Sequence, residues 1–82
     1  MKDALNTRIE QVAANIRKTR EHRNYTQEYL AAKLRISQNA YSKIELGYTR
    51  ITVERLLHIA EILETDPVLL IGAERMQVLQ KV

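Results

Sequence analysis

The 22 residues TQEYLAAKLRISQNAYSKIELG, Thr26 to Gly47, constrain this chain more than any other stretch. Apolar side chains fall at Leu30, Leu34, Ile36, Tyr41 and Ile44, with a small residue at Ala31. That spacing fits two short amphipathic helices joined by a tight turn and crossing at a steep angle. Thr26 has the chemistry to cap a helix Gln27–Leu34, and Ser37 to cap a helix Gln38–Leu46. Arg35-Ile36 forms the turn, and Gly47 follows where a left-handed residue ends a helix. Ala31 falls where the helices cross, so a larger side chain there would push them apart. Leu30 and Leu34 fix the first helix of the pair to a core, Ile36 plugs the turn, and Tyr41 and Ile44 hold the second from beneath. Its outward positions are then Gln38, Asn39, Ser42 and Lys43, four hydrogen-bonding residues suited to base edges or phosphates.

The flanks extend a helical pattern. Leu5, Ile9, Val12, Ile16 and Arg20 step by four and three along one face of a first helix over about Thr7–Arg23, with Thr7 and Glu10 spaced as a capping box. Leu5 precedes that cap, which leaves open an earlier start near Asp3. Asn24-Tyr25 breaks the pattern, and Asn tolerates positive φ. Downstream, Thr52 caps a fourth helix with the stripe Leu56, Ile59, Ala60 and Leu63. Asp66-Pro67 is a cap and first-turn proline for a fifth helix with Val68, Leu69 and Leu70, closed by Gly72. Residues 73–81 have the pattern of a short extra helix. With only two Gly and one Pro, and no alternating run of useful length, the chain reads as all-α. Its 82 residues make a single domain, with a core over 7–71 and a C-terminal extension 72–82.

Charge is uneven along the chain. Residues 17–50 carry eight Lys or Arg against three Glu, while residues 51–82 carry three basic against five acidic groups. A basic segment of this kind is the footprint of a polyanion binder, although any basic patch is also an ordinary solvated face. No Cys is present, so disulfides and thiolate metal sites are excluded. His22 and His58 are far apart in sequence and read as surface or helix-end residues rather than metal ligands. No catalytic dyad, phosphate-cradling Gly loop or nucleophile elbow is present, so no enzyme, metal or cofactor is expected. No apolar run approaches the roughly 20 residues of a membrane span, and a cytoplasmic location is expected. All four aromatic residues, Tyr25, Tyr29, Tyr41 and Tyr48, lie within residues 25–48. Helical packing with hydroxyls reaching phosphates accounts for them better than a stacking platform for single strands.

The motifs IRKTRE, TQEYLAAKL, ISQNAYSKIELG, LLHIAEIL and DPVLL, in this order from about Ile16 to Leu70, resemble the phage-repressor helix-turn-helix family of Cro/CI or XRE type. The resemblance implies a five-helix, lambda-repressor-like DNA-binding domain. It further implies a homodimer that binds an inverted-repeat operator in double-stranded DNA and acts mostly as a repressor. By that likeness Gln27 contacts a phosphate and braces the recognition helix, and Gln38, Asn39 and Lys43 touch base edges. Ser37 and Ser42 lie beside them, and Tyr48, Thr49 and Arg50 form a phosphate-contacting loop. Arg20 and Glu45 match a pair that joins the first helix to the end of the third. The residue pattern agrees, since an Arg on an apolar helix face needs a carboxylate partner. The fifth helix and the residues after it match a dimer contact. One position departs from the family: Arg35 stands where Gly is usual, in a turn that takes positive φ. There it either lowers stability or places an extra cation near the DNA. The same fold also serves antitoxins paired with a toxin, adaptors acting through a protein partner, and restriction controllers, and the sequence does not separate these roles.

Overall fold

A computed structural model describes the backbone of residues 2–72 and the side chains of residues 4–72. Among the described residues there are five helices and no strand. They are α1 (Lys2–His22), α2 (Gln27–Leu34), α3 (Gln38–Glu45), α4 (Val53–Leu63) and α5 (Pro67–Ile71). The extra helix expected over residues 73–81 lies outside the described residues.

Local chemistry sets most of the boundaries. Thr26, Ser37 and Thr52 each accept a hydrogen bond from the amide three residues on, at 3.0, 3.0 and 3.1 Å. Each supplies an acceptor to a first-turn amide that the helix itself leaves unpaired. Asp66 does the same for Val68, and Pro67 occupies the first turn of α5, where its missing N–H costs nothing. Left-handed residues then reverse the chain: Asn24, Arg35, Gly47, Glu64 and Gly72 all have positive φ. Glu64 is the one among them whose role as a helix end the sequence did not suggest.

Two expected boundaries are corrected. Helix α1 starts at Lys2, so Thr7 lies inside it and Thr7–Glu10 is not a capping box. The residues ahead of Thr7 include Lys2, Ala4 and Leu5, all good helix formers, and no breaker stands among them. Helix α3 ends at Glu45 rather than Leu46, which is its C-cap.

The core is one cluster drawn from every helix. Ile16, Leu30, Ala31, Leu34, Tyr41, Ile44, Ile59, Ala60, Leu63 and Leu70 are buried, and Val12, Ile36 and Leu56 pack against them. Of the expected α1 face, Ile16 is buried and Leu5 is 56% exposed, because the first turns of the long helix project beyond the core. In α5 only Leu70 is buried, since three consecutive apolar residues cannot share one helical face. The amide of Asn15 donates to the carbonyl of Leu70 at 3.0 Å and so ties the end of α5 to α1. Arg23 likewise donates to the carbonyl of Glu64 at 2.7 Å, joining the end of α1 to the end of α4. Among the described residues, no helix is long and apolar enough to cross a membrane.

Candidate nucleic-acid interface

Helix α3 divides cleanly into two faces. Tyr41, Ile44 and Glu45 point inward and are buried. Gln38, Asn39 and Lys43 are exposed, and Ser42 is half-buried beside them. Three polar side chains are therefore exposed on one side of a two-turn helix. A helix presenting such a face fits the major groove of B-form DNA, whose base edges carry a distinct pattern of donors and acceptors.

What holds that face in place is a buried polar centre on Glu45. Its carboxylate accepts from Arg20 Nε at 2.6 Å and from Arg20 Nη2 at 3.0 Å. It also accepts from Gln27 Nε2 at 3.1 Å and from the Tyr41 hydroxyl at 2.5 Å. The remaining Arg20 nitrogen, Nη1, donates to the carbonyl of Tyr25 at 2.9 Å. Three helices thus meet on one carboxylate, α1 through Arg20, α2 through Gln27 and α3 itself, and Arg20 ties in the α1–α2 connection through the Tyr25 carbonyl. The two charged side chains are only 11% and 3% exposed, so the pair is shielded from salt. Burial pushes the Glu45 carboxyl up, but hydrogen bonds from Arg20, Tyr41 and Gln27 and the guanidinium charge outweigh it and hold the group below the ordinary glutamate value. The hydrogen bond to Glu45 raises Arg20 above the ordinary arginine value against the effect of burial. Burial, with the Glu45 hydrogen bond, raises Tyr41 so far that its hydroxyl remains a donor. No buried side-chain polar atom among the described residues lacks a partner.

Gln27 braces α3 through Glu45 while remaining half-buried at the start of α2. Ser37 is exposed, but its hydroxyl is engaged as the α3 cap. Tyr48, Thr49 and Arg50 are all exposed in the connection between α3 and α4, Tyr48 at 76%. An open groove of about 340 Å³ runs between α3 and that connection. Ser37, Asn39, Lys43, Thr49 and Arg50 line it, together with Thr52 and Arg55 of the α4 start. No carboxylate of the described residues lines it. Arg55 was not singled out from the sequence, and the signal was its position three residues after the Thr52 cap, next to the apolar stripe of α4. Tyr41, the second omission, was expected only as a packing residue; a hydroxyl four residues before a buried Glu was the available clue.

The tyrosines do not form one platform. Tyr25 and Tyr29 pair at 4.7 Å between ring centroids, and the Lys33 ammonium lies 5.5 Å from the Tyr29 ring. Tyr41 is wholly buried, and Tyr48 is exposed on the α3–α4 connection. His22 and His58 are exposed on different helices.

Five helices, with the second and third joined by a left-handed turn and the third bearing an exposed polar face, define the helix-turn-helix class. The family model for helix-turn-helix proteins matches residues 16–70 of this chain, and the chain belongs to that family, in its Cro/CI or XRE type. The family is one of DNA-binding regulators and is not an enzymatic one. No curated protein and no solved structure gives a significant match.

Proposed function

We propose that this protein is a sequence-specific transcriptional regulator that lays α3 in the major groove of double-stranded DNA. The observation that carries the reading is the pairing of two surfaces. The exposed row Gln38, Asn39 and Lys43 lies beside a groove lined by cations and, among the described residues, by no carboxylate. The row supplies base readout: Gln and Asn present the donor–acceptor pair that suits adenine, and Lys donates to guanine. The cations and the exposed loop 48–50 supply backbone attraction, which positions the domain without reading sequence.

The reading extends to a homodimer acting as a repressor on an inverted repeat. Leu69 and Ile71 of α5 are 58% and 42% exposed, and so small a domain gains by covering such surface with a second copy. Half-sites would then lie about one helical turn apart.

Selection of bound duplexes from a random pool tests the proposal. The expected product is an inverted repeat, bound in a salt-dependent manner. Gln38→Ala, Asn39→Ala and Lys43→Ala should each relax the preference at distinct base positions, costing about 1–3 kcal/mol of discrimination apiece. A pool that returns no preferred sequence, with all three variants binding like the parent, would remove the recognition role from α3. A stable complex with a partner protein under those conditions would favour an adaptor or antitoxin instead.

A further inference from the structure

We infer that Arg55 is a DNA-contacting residue outside the helix-turn-helix itself, seated to grip one backbone phosphate together with Arg50. The inference rests on the proposed function and adds a residue of α4 to its contact surface.

Three observations carry it. First, Arg55 is half-buried and lines the groove between α3 and the α3–α4 connection, facing the same opening as Lys43 and Arg50. The three come from separate places in the chain: α3, the connection, and the first turn of α4. Second, no carboxylate among the described residues is ion-paired with it. The carboxylate–guanidinium contacts among the described residues are Arg17–Glu21 and Arg20–Glu45, and neither involves Arg55. Third, no acidic residue among those described lines the groove, although the chain from residue 51 onward is acidic on balance. A half-buried cation that shares an open groove with Arg50 and has no ion-paired carboxylate among the described residues is an anion seat. The groove runs alongside the exposed face of α3. Where that face enters a major groove, the polyanion brought to the seat is the flanking sugar–phosphate strand.

The contact predicts a characteristic signature. A phosphate contact adds affinity regardless of sequence and releases counterions, with the logarithm of the binding constant changing by about 0.9 per logarithm of salt for each phosphate neutralised. At 0.1 M salt that corresponds to about an eightfold contribution. Arg55→Gln should therefore weaken binding to a selected duplex and to a random-sequence duplex by the same factor, about eight for each half-site occupied, and lower the salt slope by about 1 per half-site. Arg55→Lys, which keeps the charge, should restore most of the slope. Circular dichroism melts establish that both variants fold. If Arg55→Gln does not fold, the unaltered protein and Arg55→Lys are compared on duplexes carrying single neutral methylphosphonates. The expected result there is a backbone position in each half-site whose neutralisation costs the unaltered protein the same factor of about eight. Undiminished slope and affinity in Arg55→Gln, or no sensitive position in the methylphosphonate series, would overturn the inference. A change of base preference in Arg55→Gln would also overturn it, because a phosphate contact carries no sequence information. In those cases the proposed function stands, provided Gln38→Ala still loses discrimination. Failure of the unaltered protein to prefer any duplex would instead remove the function, and this inference with it.

Discussion

Replacing Glu45 by Ala should be among the most damaging single changes in this protein. The substitution removes one carboxylate that accepts from Arg20 twice, from Gln27 and from Tyr41. It leaves the Arg20 guanidinium, 11% exposed at the side chain, with the Tyr25 carbonyl as its remaining partner among these contacts. Removing one partner of a buried ion pair typically costs about 3–5 kcal/mol, because an uncompensated charge stays behind. A domain of this size has a total stability on the order of 4–10 kcal/mol. The loss is thus a large share of the whole and should lower the melting temperature by more than about 12 °C. Urea denaturation of the parent, Glu45→Ala, Arg20→Met and the double variant measures it. The double variant should be clearly more stable than two independent losses would make it, since it strands no charge. A cost for Glu45→Ala below about 1 kcal/mol, the level of an exposed ion pair, would refute the reasoning. So would strict additivity in the cycle.

Further outcomes follow from the same geometry. Glu45 has its carboxyl held below the ordinary value of 4.5, so its stabilising effect is full above that value and is lost as pH falls below it, through the lowered folded value. Melts of the parent should therefore lose stability over that acidic window relative to Glu45→Gln, and parallel pH profiles would contradict the assignment. Arg35 holds φ 60 and ψ 42, a conformation unfavourable for any residue with a Cβ. Arg35→Gly should raise stability by about 0.5–1 kcal/mol after the entropy of Gly in the unfolded chain is deducted, and a lower urea midpoint would show otherwise. Ser37→Ala removes the acceptor for the Ala40 amide and should destabilise the domain by about 1 kcal/mol, whereas Ser37→Asp should keep most of the cap; equal melts for all three would contradict the capping role.

The fold was legible where local chemistry and periodicity agree. The three hydroxyl caps, the inward residues of α2 and α3 and the positive φ at Asn24 and Gly47 follow from side-chain type and spacing alone. Thr7 shows the limit: a cap-like residue followed by Glu at the right spacing signals a helix start only when the preceding residues cannot themselves be helical, and Lys2, Ala4 and Leu5 can. Glu64 was invisible as a left-handed helix end because no local preference of Glu points there; it is held by the chain reversal into α5 and by the Arg23 contact with its carbonyl. Within the candidate site, the exposed face of α3 could be counted off from its buried face. Gln27 and Tyr41 as further donors to Glu45 could not, since that depends on three helices converging in space. Arg55 was hidden for the same reason, because its groove exists only after α3 and α4 are packed around the connection between them.

The central claim is that α3 enters the major groove, and methylation interference on a selected duplex tests it most directly. Methyl groups at guanine N7 occupy the major groove and leave the backbone charge untouched. The account predicts that they block binding within each half-site, and that Lys43→Ala loses sensitivity at one guanine while keeping it elsewhere. Binding that is indifferent to N7 methylation throughout the site would place α3 outside the groove and contradict the account.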